Sequence, residues 1–327
     1  MSIQHTFGNG RIMEPIYQFQ TEAHPVEMDL FRSKPVRRLQ FLHHFGAAAL
    51  CTPLTHSRLE HTVGVWSLTA HFCPEDLPMR IAAIVHDIGH LPFSHAIERT
   101  LGFNHHRHTE QFILQGEVAE ILTNYGFKPS HIVDILKKES PLKNPTSILG
   151  LDHLDTYLRD TYRAGKQLQP PSELIRKLRL RGHLLEAQDD EAAAALAHCI
   201  VEGHRLQLEP QHVAMDALLA KAVTHHCEAQ PEMKRHLPFL MDHELLHALM
   251  HSHNGTAQET IRVLMFEPHR IQISSQPVLG SIEASFSSVP KKQPLLREKP
   301  AAEASFQVAV KLAELESLAG TYFFIIA

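Results

Sequence analysis

The sequence has little cysteine and no cysteine pattern. Cys51, Cys73, Cys199 and Cys227 are its four, and no two stand in C-x-x-C spacing. That excludes a zinc knuckle and a disulfide framework and suits a reducing cytoplasm. No apolar run approaches the roughly 18–20 residues a membrane span needs, and the closing YFFIIA is far too short. The opening MSIQHTFGNGRIMEPIYQF has no basic stretch followed by an apolar one, so it does not read as a secretory signal. Neither G-x-x-x-x-G-K-[ST] nor G-x-G-x-x-G occurs, which removes the P-loop and dinucleotide-binding readings. A dominant charge is missing too. Lys and Arg number 31 against 36 Asp and Glu, for a net −5 at pH 7. That argues against a broad nucleic-acid-binding surface and leaves room for a local basic pocket.

What is present in excess is histidine, 27 in 327 residues. Imidazole is both a common metal ligand and the default acid–base group near neutrality. Most of these side chains need be no more than solvated surface, so position must separate the few from the many. Hydrophobic residues make up 43% and charged residues 20%, enough for a folded core without staples.

The patterning is mainly helical. Residues 1–34 show no sustained period and read as an extended lead-in. From Pro35, Leu39, Leu42, Phe45 and Gly46 fall at helical steps, and 61–72 repeats that spacing. Residues 77–88 are apolar nearly all round, which marks a buried helix. Further helices are expected over 109–125, after an N-cap at Ser130, over 147–163, 191–202 and 212–225, after a cap at Asp242, and after Gly255. Residues 177–186 read as a hairpin about Arg181-Gly182. Beyond Met265, RIQISSQ, EASFSSV and TYFFIIA read as strands and PKKQPLLREKP as a loop. The expected architecture is a helical body over 35–260 and a small mixed α/β segment over 261–327.

The chemistry concentrates in His86-Asp87-Ile88-Gly89-His90-Leu91-Pro92-Phe93-Ser94-His95. A His-Asp pair closes a buried apolar helix. A buried carboxylate is costly unless a cation or strong donors compensate it. A divalent metal would compensate it, with the adjacent imidazole as a second ligand. Gly89 allows a close backbone approach. Two other segments offer further ligands: His56–His61 before one apolar helix, and Leu151–Asp160 on another. On that second helix Asp152, Asp155, Thr156 and Arg159 share a face. Such a mixed N/O set suits Mn²⁺, Mg²⁺, Fe²⁺, Co²⁺, Ni²⁺ or Zn²⁺ with open positions for water and a phosphate oxygen.

These blocks together resemble the HD-domain phosphohydrolases, and among them the dGTPase-like deoxynucleoside triphosphate triphosphohydrolases. The similar blocks are Arg38–Gly46, HSRLEHTVGV, HDIGHLPFSH and SILGLDHLDTYLRD, spanning about residues 35–163. The resemblance implies an HD-domain helical bundle with metal ligands at His61, His86, Asp87 and Asp152. It implies that His90 is a general acid and that Arg58 and His95 contact phosphate. A second catalytic histidine falls on His105, with His108 as the alternative register. Tyr157, Arg159 and Asp160 are implied substrate contacts. The implied partner is a nucleotide or another phosphorylated small molecule, with no membrane or nucleic acid, and a homo-oligomer accords with the family. Plainer readings stand beside these: Arg58 as an ion-pair partner of Glu60, His95 as a helix cap, Arg159 and Asp160 as a helix-end salt bridge. The departures fall on nucleoside-reading positions. His44 stands where the family has glutamine, Thr156 stands for a tyrosine, and the Tyr-rich stretch has no counterpart around 198–208. A di-iron HD oxygenase and a non-catalytic nucleotide-binding regulator are the alternative functions.

Overall fold

The computed structural model describes residues 10–286, 289 and 291–327. Among these the protein is mainly helical, with small sheets, and no helix is long and apolar enough to cross a membrane.

The centre is the helix Leu77–Val85. Asp76 starts it by accepting from the Met79 amide, and Ile81 to Val85 are wholly buried. The helix Arg58–Phe72 packs beside it. It begins three residues before the apolar spacing suggests, because Ser57 and Glu60 form a reciprocal capping box. Helices Leu151–Arg163 and Asp190–Gln207 complete this layer. A second apolar cluster gathers helices Pro210–Ala229, Asp242–Met250 and Gly255–Phe266 with an antiparallel sheet. In that sheet Gly320–Ile326 runs between Ile271–Ser274 and Ile282–Phe286.

Several expectations need correction. The lead-in is ordered: Arg11–Glu14 pairs with Phe19–Glu22, and Pro25–Arg32 is a helix. Its Glu27 is buried because Arg80 donates to both carboxylate oxygens at 2.8 Å and the Trp66 indole adds a third bond. Such a long-range partner leaves no local pattern. The segment from Pro35 is not one helix. Lys34–Arg38 is helical, Leu39–Phe41 and Gly46–Leu50 are 3₁₀ turns, and between them Leu42 is extended, His43 bridges to Ser57 and His44–Phe45 turn. There the Leu42 carbonyl accepts from Arg58 and the His44 amide donates to His56, which outcompetes helix continuation. The expected 109–125 helix splits into His105–Leu114 and Gly116–Asn124, with Gly116 at φ +68°. Pro129 rather than Ser130 opens the next helix. The 147–163 helix starts only at Leu151, because Ile148 pairs with Gln293 and Gly150 packs against the Leu142 carbonyl. Asp242 is the first helical residue, not the cap.

The hairpin forms as Leu178–Arg181 against Leu184–Ala187, with Gly182 at φ +62° in its turn. The stretch read as a loop supplies it with two more strands, Leu295–Leu296 and Lys299–Pro300. The helix Phe306–Ala313 then packs on Asp190–Gln207.

Candidate active site

A cavity of about 920 Å³ opens beside these helix ends. On its wall lie His61, His86, Asp87 and Asp152, brought together from three segments far apart in sequence. His61 Nε2 is 3.2 Å from Asp152 Oδ1, 3.3 Å from His86 Nε2 and 3.6 Å from Asp87 Oδ2. His86 Nε2 is 3.7 Å from Asp152 Oδ1 and 3.4 Å from Asp87 Oδ1. Ligands held at roughly 2.0–2.2 Å from one ion stand about this far apart.

The rings are aimed by their other nitrogens. His86 Nδ1 donates to the Ala83 carbonyl at 2.8 Å, and His61 Nδ1 donates to Asp155 at 2.8 Å. Both Nε2 atoms therefore face the centre, which is the second-sphere arrangement a metal-binding histidine needs. Asp155 is itself fixed by two 2.9 Å bonds from Arg159 and a 2.6 Å bond from Tyr17. Arg159 also reaches Glu14 at 2.8 Å. The site tolerates little bulk near these groups. A Cβ on Gly64 would lie 1.9 Å from Asp155 Oδ1, and one on Gly89 would lie 2.2 Å from the Thr109 nitrogen. The Gly89 amide donates to Thr109 Oγ1 at 3.0 Å, which seats the His86–Gly89 turn on the His105–Leu114 helix.

The electrostatics fit a cation at this point. Burial pushes His61 down, but its bonds to Asp152 and Asp155 outweigh that and raise its pKa to about 9. Burial would raise Asp87 and Asp152. Neighbouring histidines, and for Asp87 also Arg58, instead hold both well below the usual carboxylate range. Asp152 is the most open of the four, with a third of its side chain exposed.

Beside this centre is a second group of rings. His90 Nε2 lies 3.3 Å from Asp87 Oδ1, and the ring stacks on His105 with centroids 4.0 Å apart. Burial, then the Arg58 charge, push His90 well below its ordinary value, so it is neutral near pH 7 without an added anion. Glu98 binds His105 Nδ1 at 2.8 Å and His95 Nδ1 at 3.0 Å, and so orients both rings. These bonds hold Glu98 well below the usual carboxylate range despite burial. Arg58 turns inward, donating to Ser94 Oγ at 2.7 Å and to Asp87. Glu60 pairs with Arg163 instead. His95 is exposed at the cavity edge, and Lys143 and Arg107 stand on the same wall.

The loop carrying these groups is strained, with Phe93 at φ +55° and Ser94 at +58°. Asp242 holds it by accepting from the Phe93 amide and from the His43 amide and ring, each at 2.7 Å. Arg38 adds a 2.8 Å bond to the His90 carbonyl.

The remaining sequence assignments separate. His105 lines the cavity. His108 does not, and packs on Phe103. Tyr157 lines it with its hydroxyl 2.8 Å from His204 Nε2. Arg159 does not reach it: the guanidinium is buried on Asp155 and Glu14 and acts as a brace, not a substrate contact. Asp160 is on the wall but buried, with Oδ1 3.1 Å from His56 Nε2. The sequence reading passed over Glu98 and gave Asp155 no role. Glu98 sits three residues after His95, and Asp155 three after Asp152 and four before Arg159, so helical spacing held a faint signal for both.

Comparison with known proteins accords with this geometry. Residues 58–178 match the HD domain family. Over 220 residues the chain is 28% identical to the metal-dependent phosphohydrolase cns2 of Cordyceps militaris, covering 62% of each chain. Over 171 residues it is 25% identical to the deoxynucleoside triphosphate triphosphohydrolase SAMHD1 of Bos taurus, covering 42% of this chain and 29% of that protein. The chain thus spans less than two thirds of the length of these relatives. A phosphohydrolase from Bacteroides thetaiotaomicron has the same fold, with a TM-score of 0.74 at 18% identity over 97% of this chain and 99% of that one.

Proposed function

We propose that this chain, which carries an HD domain over residues 58–178, is a metal-dependent phosphohydrolase acting on nucleotides. The observation that carries the reading is the convergence of His61, His86 and Asp152, each offering one ligand atom within 4.8 Å of the others, with Asp87 Oδ1 3.4 Å from His86 Nε2 and Oδ2 3.6 Å from His61 Nε2, on the wall of a cavity lined by cationic and imidazole groups. Residues present fit a divalent ion, since both rings have Nδ1 committed elsewhere and Nε2 free to ligate. A bound ion supplies charge neutralisation and lowers the pKa of a coordinated water from 15.7 towards about 7. Mn²⁺, Fe²⁺, Co²⁺, Ni²⁺, Zn²⁺ and Mg²⁺ all suit two imidazoles and two carboxylates.

Phosphate-ester hydrolysis asks the protein chiefly for positioning, charge stabilisation and a proton for the leaving oxygen. Arg58, His95, Lys143 and Arg107 would neutralise phosphate oxygens along the cavity wall. His90 is neutral in the resting site, and an arriving phosphate anion favours its protonated form. It can then hand a proton to the leaving oxygen. His105, held by Glu98, stands next to it to move a second proton.

The finer reading is a dNTP triphosphohydrolase, in which water attacks the α-phosphorus and releases deoxynucleoside and tripolyphosphate. The matching phosphate-side blocks and the similarity to a relative of that name support it. Against a strict dNTP preference stand His44, Thr156 and the rebuilt far wall, where Tyr157, His204 and Gln207 line the cavity. Losing a sugar-reading hydrogen bond weakens discrimination. We therefore expect dNTP hydrolysis that is broad across bases, or slower than hydrolysis of another phosphorylated substrate. A homo-oligomer in a reducing cytoplasm belongs to the same reading.

The oxygenase alternative needs a second ion on the His105–His108 side of Asp87. There both Glu98 oxygens already accept from His95 and His105, and His108 packs on Phe103 outside the cavity lining, which favours a hydrogen-bonded relay. The deciding experiment is a panel of dNTPs, NTPs, nucleoside monophosphates and a generic phosphodiester with Mn²⁺, Mg²⁺, Fe²⁺ and Co²⁺, products resolved by chromatography. Metal-dependent release of tripolyphosphate supports the finer reading. No turnover with any phosphate ester under any metal refutes the hydrolase.

A further inference from the structure

Next to the centre just described lies a second cluster, His44, His56 and Asp160, contributed by the turn between Leu42 and Gly46, the segment before Arg58 and the Leu151–Arg163 helix. One ligand-capable atom from each lies within 4.8 Å of the others. His56 and Asp160 are almost wholly buried, and His44 is half-buried on the cavity wall. The His44 ring also packs against His61, with centroids 4.4 Å apart.

Its hydrogen-bonding is what sets it apart. His56 Nε2 and Asp160 Oδ1 are 3.1 Å apart, yet they are not aligned as donor and acceptor, and neither atom has a hydrogen-bond partner among the described residues. His56 Nδ1 and His44 Nδ1 are likewise buried and unpartnered. Among the described residues the only hydrogen bond to the Asp160 carboxylate is a long one, 3.5 Å from Gln207 to the other oxygen. Burying a carboxylate and two imidazoles in this way is costly. In the neighbouring His90–His95–Glu98–His105 group, by contrast, both carboxylate oxygens accept from ring nitrogens. A pair of lone-pair atoms about 3 Å apart, but not aimed at each other, is the geometry of two ligands sharing a third party at roughly 2.0–2.2 Å.

We propose that His44, His56 and Asp160 form a second divalent-metal site, distinct from the His61–His86–Asp87–Asp152 centre, a metal-binding role that the HD-domain reading gives to none of the three. Two imidazoles and one carboxylate form the donor set of open, three-ligand zinc sites, so Zn²⁺ or Co²⁺ is the fitting ion. His44 and Asp160 stand on the cavity wall, so the open position faces the cavity and is available to water or to a hydroxyl or phosphate oxygen of the substrate. The chain would then hold two ions per molecule without sharing any ligand between them. The proposal does not depend on which phosphate ester is hydrolysed.

The test is metal stoichiometry on the full chain. Protein stripped with chelator, reloaded with Zn²⁺ or Co²⁺ and desalted is read by elemental analysis. Two equivalents are expected for the wild type, one for His56→Gln, one for Asp152→Asn, and none for the double variant. His44→Gln, on the half-buried wall, should lower the second equivalent's affinity by tenfold or more. Anomalous scattering from wild-type crystals soaked in Zn²⁺ needs no variant and should give a peak between His44, His56 and Asp160. One equivalent in the wild type, two retained in His56→Gln, or a single anomalous peak at Asp152 would overturn the second site. Failure of the hydrolase reading would appear separately, as no turnover in protein carrying its metal.

Discussion

Gly64 lies on the Arg58–Phe72 helix and touches no proposed ligand through a side chain, yet Gly64→Ala should damage both fold and metal binding. The added Cβ would sit 1.9 Å from Asp155 Oδ1, 2.2 Å from Arg159 Nη2 and 2.7 Å from Asp155 Cγ. Favourable contacts need about 3.5–4.0 Å, so the carboxylate must retreat by roughly 1.5 Å or more. It cannot do so and keep its bonds to His61 Nδ1 at 2.8 Å, to Tyr17 at 2.6 Å and to Arg159 at 2.9 Å. All of these partners are buried, so a broken pair leaves an uncompensated charge at a cost of about 3–5 kcal/mol. At about 2–4 °C per kcal/mol, thermal unfolding should fall by roughly 6–20 °C. His61 would also lose the bond that aims Nε2, for which a loss of about 10–100-fold in metal affinity is expected. Circular-dichroism melting and a chelator competition read the two effects. Gly255→Ala is the control, because a Cβ there meets nothing within 4 Å. A Gly64→Ala protein that melts within about 2 °C of wild type and binds metal equally well would refute the reasoning.

Three further outcomes follow from the same geometry. Asp87→Ala should abolish activity and weaken metal binding at the HD centre, whereas His90→Ala should keep that metal and lose about 10²-fold or more in rate; equal metal loss in both would show that His90 is a ligand. Glu98→Gln should lower the rate at unchanged metal content, since it frees His95 and His105 together, and a wild-type rate would remove Glu98 from the orienting role. The pKa of His61 is raised from 6.5 to about 9, so metal-free protein has its imidazolium stabilisation in full below pH 6.5 and loses it as pH rises through about 9. Metal displaces that proton, so affinity should climb with pH over the same interval, by at most tenfold per unit for this group. A melting temperature of stripped protein that is flat from pH 6.5 to 9, with flat metal affinity, would contradict this.

The residues that carry the proposed chemistry are legible in the sequence because they are compact. HDIGHLPFSH packs a buried helix end, a tight turn and five polar groups into ten positions, and the apolar run before it marks the burial. The helical body is legible too, since its periodic apolar faces are a local property. Long-range partners are not. The helix Pro25–Arg32 depends on Glu27 meeting Arg80 and Trp66, and the strands Leu295–Leu296 and Lys299–Pro300 depend on an edge offered by Ala187 and Glu186. The continuous helix expected from Pro35 fails because the His56–Arg58 backbone competes for its hydrogen bonds.

Within the cavity, then, chain-local pattern marked the His86–Asp87 pair and two segments with candidate ligands, the resemblance to the HD-domain phosphohydrolases picked out His61 and Asp152 from those segments, and tertiary structure decided what surrounds them. It turned Arg159 from an apparent substrate contact into the brace for Asp155, because Glu14, 145 residues away, supplies the second carboxylate. It selected His105 over His108 through Glu98 and the Asn104 cap. It also set His44, His56 and Asp160 face to face with His44 Nδ1, both His56 ring nitrogens and Asp160 Oδ1 lacking hydrogen-bond partners among the described residues. Residue type and spacing show which groups a chain can offer. Which of them are paired, and which are left with free lone pairs, depends on atoms brought in from elsewhere in the fold.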